Sequence, residues 1–411
     1  MRCIVIVGDG MADRPLRELD FKTPLEAAEP KSMGRLASCG VSGLLDTVAP
    51  GIAPGSDAAN LAVLGYDPWV VCGGRGPFEA AGAGLKLELG DVAFRCNFAT
   101  VNNDYFLVDE RAGRIGGDAK ALGEAVEQIR LKVNSDIQVY FKQSLGFKGA
   151  LVLRGEKISS KVTNVLPKIG DRVGMIRPLD NSSDARRTAE ALNEFIKLTY
   201  EKLSAHPVNV ERKCEGKLPA NIVIPWSGSK PPKMQSFKKK YNLKASCVAA
   251  ASLIKGIAKL SDMSIVEIAG ATGDLDTDTI AKADAALTAL DDNDFVFVHV
   301  EGPDEASHDG NIQGKIAIIK KIDAMIAKIL DSVDLGEVSV VLLADHATSC
   351  KSRAHTGDPV PVSFASNELV KDGVACYSER AAYKGGLNRI SGKDIMPLVL
   401  NLMGCPEKIS G

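Results

Sequence analysis

Histidines beside carboxylates are the residues of this chain best suited to chemistry. Of only five histidines, three lie close in sequence to carboxylates in the C-terminal third: His308, His346 and His355. Asp304 and His308 have the i, i+4 spacing that places two side chains on one helix face, if a helix begins near Asp304. Imidazole and carboxylate together suit manganese, zinc or magnesium. The spacing therefore predicts a metal site.

Two further acidic positions enlarge this set of possible ligands. Asp345 directly precedes His346, and Asp9 lies between two glycines near the amino terminus. Each residue alone has an ordinary explanation, because an aspartate at a strand end often caps a helix and a histidine often forms a structural hydrogen bond. Together, three aspartates and three histidines are enough for two ions that share a bridging group. We interpret His206 and His299 as structural residues.

Ser56 is the candidate nucleophile. It follows Gly55 where a helix is predicted to begin, so the simplest interpretation is an N-cap or first-turn serine. Amide groups and the positive dipole end at a helix start also bind phosphate oxygens, so a hydroxyl placed there would meet an oriented phosphoryl group. No histidine is its neighbour in sequence, and a metal ion is therefore the most economical activator.

Three arginines could bind an anionic substrate. Arg95, Arg111 and Arg114 lie within a short stretch of the first half of the chain. Guanidinium groups fit carboxylate and phosphate oxygens. Isolated arginines are more often surface charges or members of salt bridges, so we treat these three as candidates for substrate binding.

Three short apolar segments must position the acidic residues. Each is rich in β-branched residues and ends in acidic and Gly or His residues: 2–10, 295–304 and 338–346. Non-alternating apolar strands separated by helical stretches, such as 314–330, indicate a parallel sheet covered on both faces. Ligands bind beyond the carboxyl ends of such strands. We therefore expect Asp9, Asp304 and Asp345 to converge at one edge of the sheet.

The middle of the chain has a different character. Residues 76–224 carry mixed charge and no strand with an acidic ending, but they include an apolar segment at 150–153 and an amphipathic helix at about 184–203. We predict a discontinuous metal-binding core of residues 1–75 and 225–411. The segment 76–224 is then an inserted smaller α/β or α+β domain that binds substrate and acts as a lid.

Composition excludes several functional classes. The chain has 411 residues, 45% apolar and 25% charged, with a formal net charge of −2, which is typical of a globular protein and gives no indication of a nucleic-acid partner. No apolar run has the length of about 18 residues that a membrane span requires. The nine cysteines form no CxxC pair, which favours the reducing cytoplasm. Asp13 replaces the third glycine of a dinucleotide fingerprint after Gly8, so we predict no nucleotide cofactor.

Four motifs together identify a family resemblance. In order and spacing, the chain is similar to the alkaline phosphatase superfamily of metalloenzymes, and more closely to its archaeal-type 2,3-bisphosphoglycerate-independent phosphoglycerate mutases. The likeness spans nearly the whole length. The motifs that carry it are Gly8-Asp9-Gly10, Gly55-Ser56-Asp57-Ala58-Ala59-Asn60, Gly302-Pro303-Asp304-Glu305-Ala306-Ser307-His308, and Ala344-Asp345-His346 with His355.

The resemblance implies an alkaline phosphatase-like α/β core with a mainly parallel sheet, an inserted domain and two divalent ions. Manganese is the expected metal, with magnesium, cobalt or zinc as alternatives, and no bisphosphoglycerate is required. Ser56 would take the phosphoryl group of 3-phosphoglycerate as phosphoserine and return it to the 2-hydroxyl, while the three arginines hold the glycerate. The implied ligands are Asp9, Ser56, Asp345 and His346 for one ion, and Asp304, His308 and His355 for the other.

One segment departs from the family pattern and leaves alternatives open. Where an Arg-Gly-Ala-Gly-like stretch is expected, the chain has Ile224-Pro225-Trp226-Ser227-Gly228, so a substrate contact is missing or replaced. A phosphate-ester hydrolase of the same superfamily and a noncatalytic metal- or phosphate-binding module are the alternative functions. The sequence does not fix the oligomeric state.

Overall fold

The computed structural model describes residues 1–406. Within them, strands and helices are numbered in chain order. The strands are β1 (Arg2–Gly8), β2 (Gly40–Asp46), β3 (Val92–Val101), β4 (Leu107–Asp109), β5 (Gln138–Gln143), β6 (Lys148–Arg154), β7 (Ile222–Ser229), β8 (Ala245–Val248), β9 (Ser264–Val266), β10 (Phe295–Val300), β11 (Val338–Leu343), β12 (Ala347–Ser349), β13 (Ala354–Thr356), β14 (Val360–Ala365) and β15 (Asn388–Ser391). The helices are α1 (Pro24–Ala28), α2 (Lys31–Ser38), α3 (Ser56–Val63), α4 (Pro68–Val71), α5 (Gly76–Gly82), α6 (Ala119–Glu127), α7 (Ser183–Ser204), α8 (Pro207–Cys214), α9 (Phe237–Tyr241), α10 (Ser252–Leu260), α11 (Thr279–Ala289), α12 (Gly302–His308), α13 (Ile312–Ser332), α14 (Glu379–Ala382) and α15 (Ile395–Leu402).

The chain forms two compact units. The core unit comprises Met1–Val71, Met234–Ile254 and the chain from Ala258 onward, and the inserted unit comprises Cys72–Lys233 with Lys255–Ile257. The sequence placed the second boundary at 224/225, which falls within β7. That strand continues to Ser229 because it pairs with β3 from Ile222 to Ser229. The inserted unit therefore extends beyond the predicted range.

The core unit is built on an eight-stranded sheet of order β15-β2-β14-β11-β1-β10-β8-β9. Its pairs are parallel except those of β14, which runs antiparallel to both β11 and β2. The expectation of a mainly parallel sheet is confirmed. The three strands predicted from their apolar runs are the adjacent strands β11, β1 and β10, and β10 and β11 are buried along their whole length.

The register of these three strands brings their carboxyl ends to one level. Gly8 pairs with Val300, and Val7 pairs with Leu343. The residues that follow the strands therefore begin at the same edge of the sheet. This alignment brings Asp9, α12 and Asp345 together.

The inserted unit is an α+β domain. Its antiparallel sheet has the order β4-β3-β6-β5, and β7 also pairs antiparallel with β3. The predicted helix at 184–203 is confirmed by α7, whose Leu192 and Phe195 are fully buried in the same cluster as Phe94 and Phe98 of β3. Apolar side chains of α7 thus cover one face of this sheet.

Among residues 1–406, no helix combines the length and the apolar character needed to cross a bilayer. All nine cysteines lie in this range, and none of them forms a disulfide.

Candidate metal centre and nucleophile

Asp9 and Asp345 lie at the edge of the sheet, in two loops that are joined by a hydrogen bond. The Asp345 Oδ1 atom accepts hydrogen bonds from the amides of Gly10 at 3.1 Å and His346 at 3.0 Å. Gly10 has φ +59°, and a Cβ there would lie 2.5 Å from Thr348 Oγ1. Only glycine meets both demands, so the Gly8-Asp9-Gly10 pattern has a structural cause.

Ser56 meets the first group of candidate ligands at the start of α3. It is the first residue of the helix, after the N-cap Gly55. Its Oγ lies 3.2 Å from His346 Nε2. His346 Nε2 is also 3.2 Å from Asp9 Oδ1 and 3.6 Å from Asp345 Oδ2. The first-turn placement predicted for Ser56 is confirmed, and its hydroxyl faces the acidic cluster.

The second group contains Asp304, His308 and His355. Asp304 and His308 lie on α12, where the predicted i, i+4 spacing brings Asp304 Oδ2 within 3.3 Å of His308 Nε2. His355, on β13, places its Nε2 3.4 Å from Asp304 Oδ1 and 3.2 Å from His308 Nε2. The structure therefore brings together all seven residues for which the resemblance implies a metal-ligand role.

Backbone carbonyls orient two of the histidine rings. His308 Nδ1 lies 2.9 Å from the carbonyl oxygen of Arg353, and His355 Nδ1 lies 2.7 Å from that of Pro54. Because a carbonyl can only accept, each ring carries a proton on Nδ1. The Nε2 atoms of the neutral rings then present lone pairs toward Asp304, as metal ligands do.

The buried polar atoms fit divalent cations. Asp9 Oδ1 is buried and has no hydrogen-bond partner. In each of two groups of three residues, the ligand atoms lie within 4.8 Å of one another. One group is Asp9, Asp345 and His346, and the other is Asp304, His346 and His355. His346 thus lies between the two groups. Carboxylates and imidazoles in this number are a donor set for manganese, magnesium, cobalt or zinc.

Burial and neighbouring charged groups shift the pKa values of Asp9 and Asp304. Burial raises the pKa of Asp9 well above its ordinary value, and the carboxylates of Asp345 and Asp304 raise it further. Burial also acts to raise the pKa of Asp304, but the adjacent imidazoles of His308 and His355 more than offset it and bring that pKa well below the usual range. Asp9 is thus the carboxylate with the greatest need for a nearby positive charge.

Comparisons with known proteins agree with this geometry. A model of the metalloenzyme superfamily matches residues 1–402. The chain is 42% identical to 2,3-bisphosphoglycerate-independent phosphoglycerate mutase 1 of Methanothermobacter thermautotrophicus, with 99% of each chain covered, and 43% identical to the protein of that name from Methanocaldococcus jannaschii, with 99% of this chain and 98% of that one covered. The chain belongs to the 2,3-bisphosphoglycerate-independent phosphoglycerate mutase family.

Solved structures extend the likeness to the fold. A cofactor-independent phosphoglycerate mutase from Thermoplasma acidophilum is 30% identical with a TM-score of 0.64, and covers 98% of this chain and 100% of its own. A protein of Pyrococcus horikoshii is 34% identical with a TM-score of 0.84, and covers 100% and 99%. Both likenesses span the complete core and inserted segments of this member of the mutase family.

Sequence reasoning missed His299, which in this mutase-family chain contacts the cluster. It is buried as predicted, but its Nε2 has no hydrogen-bond partner and lies 3.4 Å from Asp9 Oδ2. Burial lowers the pKa of His299 to about 4, so the ring is neutral at physiological pH. The interpretation of His299 as a purely structural, satisfied residue is therefore wrong. A single polar residue within the apolar strand β10 was the available signal.

Asn60 is a second residue that sequence reasoning did not single out. Its Nδ2 donates to Asp345 Oδ2 and to the Ser56 carbonyl oxygen, both at 2.8 Å. Asn60 lies one turn after Ser56 on α3, so this helix face carries both the hydroxyl and the group that orients Asp345. The i, i+4 spacing of Ser56 and Asn60 could have indicated this arrangement.

The candidate substrate arginines lie in the inserted unit. Arg95 of β3 is largely buried, with Nη1 3.7 Å from Glu79 Oε1. Arg111 follows β4, where its Nε lies 3.5 Å from Glu110 Oε1 and its guanidinium lies 5.8 Å from the ring of Phe147. Arg114 is exposed in the turn after it, with φ +53°. The three cations therefore differ in burial and in their partners.

Trp226 occupies the segment that departs from the family pattern. It pairs with Arg95 across β7 and β3, and the Arg95 guanidinium lies 4.8 Å from the centre of its ring. The indole Nε1 donates to Asn97 Oδ1 at 3.2 Å. Ser227 has φ +50°, a conformation in which glycine is the usual residue. The substituted segment therefore lies at an irregularity in the pairing of β7 with β3 and places an aromatic ring against Arg95.

Proposed function

We propose that this protein interconverts 3-phosphoglycerate and 2-phosphoglycerate without bisphosphoglycerate, through a phosphoserine at Ser56. The observation that supports this function most is the position of Ser56 Oγ, 3.2 Å from His346 Nε2 within the acidic cluster. The membership of the mutase family supports it independently.

We propose two divalent ions as cofactors, with manganese as the expected metal. Asp9, Ser56, Asp345 and His346 would hold one ion, and Asp304, His308 and His355 the other. When bound, such ions lower the pKa of a coordinated hydroxyl and neutralise phosphoryl oxygens. The orphaned Asp9 Oδ1 and the inward-facing Nε2 atoms of His308 and His355 support this assignment.

Ser56 Oγ would attack the phosphorus of 3-phosphoglycerate. Ser56 loses its hydroxyl proton as the Oγ–P bond forms, the bond from phosphorus to the 3-oxygen breaks, and the 3-oxygen takes up a proton to become a hydroxyl of glycerate. After glycerate reorients, its 2-oxygen loses its proton and attacks the phosphoserine, the Oγ–P bond breaks, and Ser56 Oγ takes up a proton again. The amides in the first turn of α3 would bind phosphoryl oxygens in both half-reactions.

Arg95, Arg111 and Arg114 would hold the carboxylate and hydroxyl groups of glycerate. Retention of glycerate matters because water could otherwise hydrolyse the phosphoserine and produce a phosphatase. A substrate-binding lid is the role we assign to the inserted unit. The fork of a guanidinium matches a carboxylate in two parallel hydrogen bonds, which fixes the orientation of glycerate.

Purified protein assayed with 3-phosphoglycerate, manganese and no bisphosphoglycerate should accumulate 2-phosphoglycerate to equilibrium. Enzyme-coupled and phosphorus NMR detection would follow product and free phosphate together. Release of phosphate with no 2-phosphoglycerate would favour the hydrolase, and no turnover at all would favour the noncatalytic module. Either result contradicts the mutase.

Replacement of Trp226 by alanine should raise the KM for 3-phosphoglycerate about tenfold, with a smaller effect on kcat. The ring restrains the Arg95 guanidinium, and the loss of a cation–π contact of about 1–2 kcal/mol allows it to move. Steady-state kinetics on Trp226→Ala and Trp226→Phe test this. Phenylalanine keeps an aromatic face and should restore most of the affinity, and an unchanged KM in Trp226→Ala would contradict the role.

A further inference from the structure

The Thr348 hydroxyl lies between the two ligand groups described above. Thr348, on β12, is fully buried. Its Oγ1 is 2.6 Å from Asp304 Oδ1 and 3.0 Å from His346 Nδ1. Asp304 belongs to one proposed ion and His346 to the other. A single side-chain atom thus contacts one ligand of each ion.

From this geometry we propose that Thr348 is a positioning residue that fixes the tautomer of His346 and the orientation of Asp304, and so prepares both ion sites at once. The inference rests on the proposed metal centre but adds a residue that is not itself a ligand. It also assigns the proton on a ring nitrogen, which the ligand set alone leaves open.

The number of available protons fixes the direction of both hydrogen bonds of the Thr348 hydroxyl. A hydroxyl has one hydrogen to donate, and an ionised carboxylate can only accept. A carboxylate that binds a metal is ionised, and the 2.6 Å contact to Asp304 Oδ1 is the shorter of the two, so the Thr348 hydrogen points to Asp304 Oδ1. The oxygen of Thr348 must then accept from His346 Nδ1.

The consequence concerns the other nitrogen of His346. A neutral ring with its proton on Nδ1 leaves a lone pair on Nε2, the atom that faces Asp9 Oδ1 and Ser56 Oγ. His308 and His355 have the same tautomer, which carbonyl oxygens impose on them. For His346 the Thr348 hydroxyl imposes this tautomer. The direction of its hydrogen is set by Asp304, a ligand of the second ion.

The backbone of Thr348 is anchored independently of its hydroxyl. Its amide donates to the Ala12 carbonyl at 3.1 Å, and its own carbonyl accepts from the buried ammonium of Lys315 at 2.7 Å. The Lys315 Nζ also lies 3.1 Å from the Ala12 oxygen and 3.2 Å from Asp13 Oδ2. Removal of the hydroxyl alone should therefore leave β12 in place.

Thr348→Val removes the hydroxyl and nearly preserves the side-chain volume. We expect it to weaken manganese binding by about 10- to 100-fold, the range found when a residue that orients metal ligands is lost. The test is calorimetric titration of the chelator-treated, dialysed protein with manganese chloride. Both binding steps should weaken, because the hydroxyl contacts a ligand of each site.

Two variants separate positioning from a general loss of stability. Thr348→Ser keeps the hydroxyl and should bind manganese with near wild-type affinity. Thr279→Val removes another buried hydroxyl of the core unit, one that donates to the Lys321 carbonyl at 3.0 Å, and should not change the affinity. Thermal unfolding of each metal-free variant shows whether the fold is retained.

Wild-type manganese affinity in Thr348→Val would overturn the inference, as would a tenfold loss in Thr348→Ser or in Thr279→Val. Absence of manganese binding by the wild-type protein would instead overturn the proposed metal centre, and this inference with it. A loss confined to Thr348→Val supports the positioning role, whether or not the protein proves to be a mutase.

Discussion

Replacement of Ser56 by alanine should lower the rate of phosphoglycerate interconversion by on the order of 10⁴-fold or more, because both half-reactions pass through its oxygen. The fold should not suffer. The Ser56 hydroxyl contacts His346 Nε2 at 3.2 Å, and that nitrogen also faces Asp9 Oδ1, so the free energy of unfolding should fall by about 1 kcal/mol. Steady-state assays and denaturant unfolding measure the two quantities. In the wild-type protein, brief incubation with substrate and acid quench should trap phosphate on Ser56.

Ser42→Ala provides the matched control. Ser42 lies in β2, where its Oγ is 2.7 Å from Ser363 Oγ of β14 in a buried pair. Its loss should destabilise the protein by about 1–3 kcal/mol, since Ser363 is left without that partner, yet activity should remain. If Ser56→Ala kept more than a small fraction of wild-type activity, the covalent route would be wrong.

Removal of divalent ions should abolish activity and lower the stability of the core unit. At free ion concentrations about 100 times the Kd, binding to the native state alone stabilises it by about 2.7 kcal/mol. Activity after dialysis against a chelator, and again after addition of manganese, tests the first expectation. Calorimetric unfolding tests the second. Full activity in the chelated protein would contradict the proposed metal centre.

The stabilisation by metal should also grow as pH rises. The raised pKa of Asp9 means that the metal-free native state keeps its proton more strongly than the unfolded chain does. That contribution is present below the unfolded pKa of about 3.9 and is lost as pH rises through the folded pKa. A cation binds the ionised carboxylate, so the free energy by which it stabilises the native state increases over the same pH range. The difference in Tm between loaded and chelated protein should widen as pH rises above the unfolded aspartate pKa of about 3.9.

Asp304→Asn serves as the control for this experiment, because it removes a ligand and should eliminate the metal-dependent rise in Tm. Asp278→Asn removes a carboxylate at the N-cap of α11, where its side chain accepts from the Ala281 amide. Asparagine caps helices equally well, so this variant should retain the full metal response. An equal loss in both variants would indicate a general charge effect rather than coordination.

The sequence predicted the parts of the site that depend on strand ends and helix spacing. Apolar runs located β1, β10 and β11, and the i, i+4 pattern correctly placed Asp304 and His308 on α12. Parallel pairing then requires that the residues after these strands meet, as they do. These are consequences of local periodicity and of one topological rule.

Other features depend on tertiary detail that no short pattern contains. Thr348 contacts the cluster because β12 places its hydroxyl between Asp304 and His346, and a threonine in a short strand has no distinguishing spacing. The second boundary of the inserted unit was misplaced because β7 pairs with a strand far away in sequence. The reversed strand β14 has an apolar composition that gives no indication of its direction.

The placement of the site across the core has a consequence for how the protein acquires its metal. The seven residues extend from Asp9 to His355, so the site is complete only when the chain has been made as far as His355. A nascent chain on the ribosome therefore offers scattered carboxylates and imidazoles but no high-affinity cage. Loading should follow the slow closure of the long-range strand pairings, so the supply of ions at that moment, rather than affinity alone, would decide which metal the finished protein holds.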